Sequence, residues 1–236
     1  MDSFCEGLEA DYSGESRALS NDWYNTFAEI AVDGFVAAQE AYIKLEDRNS
    51  GLELLNEDAY AAVYTIKKGC VTAICFSAMA LESFINMFSL RFASPEFAKE
   101  IDRLPPAEKW QKTTGTVLQK DMEKGRAPLQ LIMQCARIRN EYVHNKPVLF
   151  PLKDLQGDVP AISFRKSFLT PAYESLQAMK ASGDWIQENS GGKYPTIVTA
   201  NLWTRVSDEF KRVKEYQTCS DVYTLLLDND EDVQKP

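Results

Sequence analysis

Apolar residues recur at three- and four-residue spacing through most of this chain, which is the pattern of amphipathic α-helices. The first such series runs from Trp23 to Leu45 and is followed by the turn-forming residues Asn49-Ser50-Gly51. It predicts a helix that begins after Ser20 or Asn21 and ends at that turn.

The second series predicts the central element of the fold. Asn56 is placed to cap a helix, and between Gly69 and Leu90 the sequence is apolar nearly all round, with Glu82 as its single charge. A helix that is apolar on all sides is typical of a buried position. Because an unbroken helix as far as Phe92 would be unusually long, we expect a kink or break near Gly69.

Proline and glycine divide the remaining chain into shorter predicted helices. Their expected spans are 94–101, 105–123, 128–146, 171–180 and 195–217, with a short extended piece at 161–164. On the helix that begins at Pro128, the predicted inward stripe consists of Leu129, Ile132, Met133, Ala136 and Val143. The chain is therefore predicted to be all-α, an antiparallel helical bundle with a C-terminal helical extension.

The predicted domain organisation follows from these elements. A poorly ordered acidic segment (1–20) precedes a bundle core (21–150), a helical extension packed on the same domain (151–227) and a frayed tail (228–236). The composition, 44% hydrophobic and 26% charged, is that of an ordinary globular protein.

Charge is distributed unevenly along the chain, whose net charge is −9. Residues 1–60 hold 3 Lys/Arg against 14 Asp/Glu, whereas residues 61–150 hold 13 against 8. The basic middle segment can be explained by solvated helix faces or by a site for a small anionic substrate. A broad nucleic-acid footprint needs more basic excess than this, so any contact with a polynucleotide should be local.

The cysteines and the N-terminal sequence indicate an intracellular setting. Five cysteines form no C-x-x-C pair, and three of them lie in helical apolar patterns, which favours reduced thiols over disulfides. Scattered cysteines and one histidine disfavour a zinc site, so we expect neither metal nor cofactor. The acidic N-terminus has no apolar signal core, and the longest apolar run (70–81) is too short to span a bilayer. We therefore expect a cytoplasmic protein without membrane contact.

The chemistry of the chain is concentrated in the segment Arg139-Asn140-Glu141-Tyr142-Val143-His144, which contains its only histidine. Asn140 and His144 are one helical turn apart, and Arg139 lies beside them. Polar groups on an apolar stripe need partners if they are buried. His144 is therefore either a hydrogen-bonded structural residue or part of a site at a cleft or subunit interface.

Glu82 presents the same question on the central helix, with Asn86 one turn further along. A buried carboxylate requires a partner, and we expect Arg137 or Arg139 to supply it. The pair would either set the register of two helices or contribute to a site. Phosphate-binding loops, dinucleotide-binding motifs and hydrolase nucleophile elbows are absent from the sequence.

These two segments resemble a known family. Arg139-Asn140-x-x-x-His144 is similar to the R-x(4–6)-H signature of the HEPN superfamily, and residues 80–86 (Ala-Leu-Glu-Ser-Phe-Ile-Asn) resemble the A-x-E-(S/A)-x-x-N pattern on an earlier helix of these domains. The resemblance covers roughly residues 57–150.

The resemblance implies a small α-helical bundle, usually dimeric, with the motifs of two subunits facing each other. Many members are metal-independent endoribonucleases, including toxins of toxin–antitoxin pairs and defence nucleases. Carried over by motif, Arg139 and His144 are the catalytic pair, Asn140 is a supporting polar residue, and Glu82 has a positioning role with Asn86 beside it. RNA would be the substrate, and an antitoxin or regulatory protein a further partner.

One departure limits this parallel. Members silenced by modification carry a tyrosine two positions after the histidine, where this chain has Lys146. Control by a nucleotidyltransferase antitoxin is therefore in doubt. The sequence leaves three interpretations open: a dimeric ribonuclease, a non-catalytic module of the same fold that binds a protein or nucleotide, and a helical bundle whose motif is coincidental.

Overall fold

Helices make up all of the regular structure in the computed structural model, which describes residues 23–49, 57–144 and 168–207. The predicted all-α class is confirmed. The helices are α1 (Trp23–Asn49), α2 (Glu57–Phe92), α3 (Pro95–Ile101), α4 (Pro106–Leu118), α5 (Leu129–Val143) and α6 (Thr170–Ser190), and residues 200–207 are helical as well.

α2 is the central helix, because α1, α3, α4, α5 and α6 all pack against it. One core runs through the bundle, and its largest fully buried side chains include Phe35, Ile74, Phe84, Phe88, Trp110, Ile132 and Leu176. Phe84 stands at its centre, with ring centroids 5.2 Å from Tyr24 of α1 and 5.8 Å from Trp110 of α4. Aromatic pairs at these distances add to the stabilisation from burial alone.

Of the kink or break predicted near Gly69, the break does not occur, since α2 is one continuous helix of 36 residues. Gly69 instead permits a close approach of α1. A Cβ on Gly34 would lie 2.9 Å from the carbonyl oxygen of Gly69, and a Cβ on Gly69 would overlap the carbonyl oxygen of Gly34. Packing of the two backbones explains the glycine without a break in the helix.

The stretch Ala61–Phe92 of α2 is long and apolar enough to cross a membrane by length and composition alone. This differs from the expectation based on the shorter run 70–81. The same properties belong to the core helices of soluble proteins, and within the bundle this helix supplies Ile66, Ile74 and Phe88 to the core.

Three predicted helix boundaries were wrong, each for a local reason. The last helix begins at Ala200 rather than at Pro195, and the Leu202 N–H donates a hydrogen bond to the Thr199 hydroxyl oxygen at 3.3 Å just before it. α4 ends at Leu118 rather than near residue 123, because Gln119 adopts the left-handed conformation (φ 56°) and reverses the chain. α6 continues ten residues beyond the predicted end at Lys180, since its inward face carries on through Gly183 and Ile186. It ends at Ser190, where Gly191 adopts the left-handed conformation (φ 63°) and caps the helix.

The predicted start of α3 is confirmed. The Ser94 hydroxyl oxygen accepts a hydrogen bond from the Phe97 N–H at 3.1 Å, and Pro95 occupies the first helical position. The predicted cap at Asn56, the extended piece at 161–164, and Cys5, Cys219 and Lys146 lie outside the described residues.

Candidate functional site

Arg139, Asn140 and His144 lie together at the C-terminal end of α5. Asn140 and His144 are exposed, and Arg139 is half-buried. The Arg139 Nη1 donates a hydrogen bond to the Asn140 Oδ1 at 2.8 Å, and the His144 backbone N–H donates to the Asn140 carbonyl oxygen at 2.9 Å. Asn140 therefore contacts Arg139 directly and stands one turn before His144, whose imidazole is open to solvent.

The predicted inward stripe of α5 was partly wrong. Leu129 and Ile132 are buried as expected, but Met133 is 56% exposed and Val143 is 51% exposed. The buried face is completed instead by Cys135 and Ile138. The stripe is rotated because α5 packs between α2 and α6, so the side that carries Met133, Asn140 and Val143 faces outward.

α5 runs antiparallel to α2. Ring contacts bring Tyr142, near the C-terminal end of α5, through Phe168 to Lys67 in the first half of α2. Tyr142 lies close enough to Cys70 for its pKa to be raised to about 12, by burial first and then by Cys70. Burial raises the pKa of the Cys75 thiol, and Arg139 lowers it by a smaller amount. As residue numbers rise along α5 from Arg139 to Tyr142, their neighbours on α2 fall from Cys75 to Cys70.

This register separates Glu82 and Asn86 from the end of α5. They follow Cys75 by seven and eleven residues, about 10 and 16 Å further along α2 at 1.5 Å per residue. That direction leads away from His144. Within one chain, the structure does not bring Glu82 and Asn86 to Arg139 and His144.

The expected partner of Glu82 was also wrong. Its side chain is 59% exposed rather than buried, and its carboxylate lies 3.7 Å from the Lys109 Nζ of α4. Arg137 pairs instead with Glu141 on its own helix at 3.0 Å. Arg137 is paired with an i,i+4 neighbour on its own helix, and Glu82 is paired with Lys109, so neither residue requires the other as a partner.

Lys109 is the residue that sequence analysis missed in this region. Only 3% of its side chain is exposed, and its Nζ donates a hydrogen bond to the Asn86 Oδ1 at 3.0 Å. It thereby joins α4 to α2 beside the buried Trp110. Lys109 lies four residues before the buried Thr113, and this spacing places both on one side of the helix. The sequence alone did not indicate burial, because lysine side chains are usually solvated.

An open face borders the α2–α5 contact on the side away from α6. We refer to it as the open seam, and its members are Tyr64, Lys68, Cys75 and Met79 on α2 with Ala136, Arg139, Asn140 and Val143 on α5. The α2 members are spaced four, seven and four residues apart, so they share one side of the helix. Tyr64 is 69% exposed and Met79 is 39% exposed.

Two thiols lie beneath this face. Burial raises the pKa of Cys135 to about 12, and smaller opposing effects come from Ser175 and Arg139. Burial also raises the pKa of Cys70 to about 12. Cysteines of this kind are chemically inert, because the thiolate is the reactive species. Among the described residues, no group of three or more His, Cys, Asp or Glu side chains is placed to hold a metal ion.

A cleft of about 410 Å³ lies at the other end of α5, beside Ala127 and the half-buried Trp185 of α6. Its charges are balanced, since Lys120 and Arg126 are matched by Asp121 and Glu123 in the lining, and Arg126 pairs with Glu123 at 3.0 Å. None of the predicted site residues lines it. Such a lining gives no preference for an anionic substrate.

Comparison with known proteins does not extend this picture. No protein-family model, no curated protein and no solved structure matches the chain.

Proposed function

We propose that this protein is a metal-independent endoribonuclease of the HEPN type, with Arg139 and His144 as its catalytic pair. The observation that carries the proposal is the grouping of Arg139, Asn140 and His144 at one solvent-facing end of α5. A structural histidine would be enclosed, whereas the imidazole of His144 is available to a substrate.

The groups at this end of the helix supply the general base and the charge stabilisation that the reaction needs. The His144 imidazole takes the proton of the ribose 2′-hydroxyl as the 2′ oxygen attacks phosphorus. The bond from phosphorus to the 5′ oxygen breaks, leaving a 2′,3′-cyclic phosphate and a 5′-hydroxyl. The Arg139 guanidinium stabilises the charge on the phosphorane, and Asn140 orients it through their 2.8 Å hydrogen bond.

A second copy of the chain supplies the acid that the leaving 5′ oxygen requires. This sequence has one histidine, so a protomer cannot provide both base and acid from imidazole. Met79 of α2 and Met133 and Val143 of α5 have exposed side chains, and exposed apolar residues of this kind mark interaction sites. We propose that these residues pair two protomers, with both copies of His144 facing a single RNA.

Glu82 and Asn86 have a supporting role in this proposal. They hold the buried Lys109, and through it α4, against the helix that carries Cys75 and the open seam. We propose that the protein acts on RNA in the cytoplasm, and that an antitoxin or other regulatory protein covers the same end of α5. A toxin or defence role follows from the family resemblance alone.

The proposal is tested by the ends of the RNA products. Purified protein in EDTA should cut RNA to fragments with 2′,3′-cyclic phosphate and 5′-hydroxyl ends. Products with 5′-phosphate ends, or cleavage that needs an added divalent cation, would contradict the proposed chemistry.

The exposed methionines also favour a second candidate, a module of the same fold that binds a protein without catalysis. It differs in a measurable way. A partner protein would then bind equally well to wild type and to His144→Ala, and neither protein would cleave RNA.

A further inference from the structure

Tyr64 and Lys68 are exposed side chains on α2 that neither the motif nor the proposed chemistry uses. Among the large hydrophobic side chains of the described residues, Tyr64 has the highest exposed fraction, 69%. Lys68 follows it by four residues and is also exposed, so the two are neighbours on one side of the helix. The same side carries Cys75, which lies near Arg139.

The antiparallel register places this pair at the same end of the bundle as the candidate site. Tyr142 lies near Cys70, and two further residues bring α5 to His144 while two residues back along α2 reach Lys68. His144 and Lys68 therefore lie at about the same height along the two helices.

Ring contacts fix this end of the bundle independently. The Lys67 Nζ lies 5.8 Å from the centre of the Phe168 ring, which in turn lies 6.0 Å from the ring centre of Tyr142. Residues 67 and 142 are thus brought to the same end of the α2–α5 pair without reference to any pKa.

The charge of this end suits a phosphate backbone. Lys68 and Arg139 are cationic and Lys68 is exposed, while Arg137 is neutralised by Glu141 at 3.0 Å. Both lie in the segment 61–150, which holds 13 Lys/Arg against 8 Asp/Glu in a protein of net charge −9 and so favours contact with a polyanion over the acidic remainder of the chain. An exposed aromatic ring next to cations is the arrangement by which proteins hold single-stranded nucleic acid.

We infer that Tyr64 and Lys68 form a subsite for single-stranded RNA next to Arg139 and His144, in which Lys68 contacts a phosphate and Tyr64 stacks on a base. The inference rests on the proposed ribonuclease function and names the form of its substrate. A duplex would not satisfy the subsite, because its base faces are already stacked on one another.

The test measures RNA binding in a protein that cannot cleave. His144→Ala is titrated into a fluorescein-labelled 12-nucleotide oligoadenylate from 50 to 200 mM salt, with anisotropy as the readout. Lys68→Gln is added to this background, and Lys44→Gln, which removes an exposed lysine of α1, is the matched control. Tyr64→Ala and Tyr64→Phe are compared in the same way.

The expected results follow from the two contacts. Lys68→Gln should reduce the slope of log K against log salt by about 0.7, the value for one phosphate contact on a single strand, and Lys44→Gln should leave it unchanged. Tyr64→Ala should weaken binding roughly five- to hundredfold, the range for loss of one stacked base, and Tyr64→Phe should restore it. An excess of unlabelled duplex should compete poorly.

Failure of the subsite and failure of the nuclease proposal are distinguishable. If Lys68→Gln and Tyr64→Ala bind like Lys44→Gln, or if no RNA binds at 50 mM salt, the subsite is overturned even when wild type cleaves RNA. If binding depends on both residues and wild type does not cleave, the subsite stands and the nuclease proposal fails.

Discussion

The contact between α1 and α2 makes a sharp prediction about Gly69→Ala. An alanine Cβ at this position would overlap the carbonyl oxygen of Gly34 and lie 2.9 Å from the Ala38 Cβ. The first obstacle is backbone and cannot rotate aside, so the helices must separate. Overpacking costs about 1–3 kcal/mol, and the backbone contact places this site at the upper end of that range.

Alanine also has a higher helix propensity than glycine, by about 1 kcal/mol, which offsets part of the cost. We therefore expect Gly69→Ala to lower the free energy of unfolding by about 2 kcal/mol, a decrease in Tm of about 4–8 °C for a chain of this size. Urea denaturation followed by circular dichroism measures the change.

Gly115→Ala on α4 is the matched control. A Cβ there would meet only the Asp121 carboxylate, the end of a flexible side chain, so the propensity gain should remain and Tm should stay level or rise. If Gly69→Ala is as stable as Gly115→Ala, the two helices do not cross at Gly34 and Gly69. The packing described for α2 would then be wrong.

Further predictions concern the buried lysine, the thiols and the proposed dimer surface. Lys109→Ala should destabilise the protein by about 2 kcal/mol in urea denaturation, because a buried charged hydrogen bond is lost. Glu82→Ala should cost less than about 1 kcal/mol, because that carboxylate is exposed. Equal losses would contradict the assignment of Lys109 as the buried member of the pair. Cys70 and Cys135 should resist iodoacetamide at pH 8 in the folded protein and react after unfolding, as read by mass spectrometry, and rapid alkylation of either would show that it is not enclosed. Both thiols ionise near pH 9 when unfolded but have a pKa of about 12 when folded, so their contribution to stability should be full below pH 9 and be lost as pH rises from 9 to 12. Met133→Glu should convert the proposed dimer to a monomer in light scattering and reduce RNA cleavage with it, and a variant that remains dimeric would remove this face from the interface.

The fold class could be predicted from periodicity, but the packing of α5 could not. Its apolar residues cover more than one face, and Met133 and Cys135 are equally compatible with an inward position when read alone. Packing against α6 determines which face of α5 is buried: Cys135 and Ile138 are enclosed, and Met133 stays exposed. Such a choice depends on a helix more than 25 residues away in sequence.

The candidate site divides in the same way. The grouping of Arg139, Asn140 and His144 is local, so helical spacing predicted it. The partner of Glu82 depends on the register between α2 and α4, and residue type alone favoured an arginine over the buried Lys109. Gly69 was misread for a related reason, because glycine marks both breaks and close contacts.

The most direct test of the central claim is the rate of RNA cleavage in EDTA by wild type, His144→Ala and Arg139→Ala. Arg137→Ala is the control, since it removes an arginine from the same helix whose charge is paired with Glu141. We expect His144→Ala to lower the rate by about 10²–10⁴ and Arg139→Ala by about 10²–10³, with Arg137→Ala close to wild type. Equal rates for all four proteins, or no cleavage by wild type, would contradict the assignment of a ribonuclease site to the end of α5.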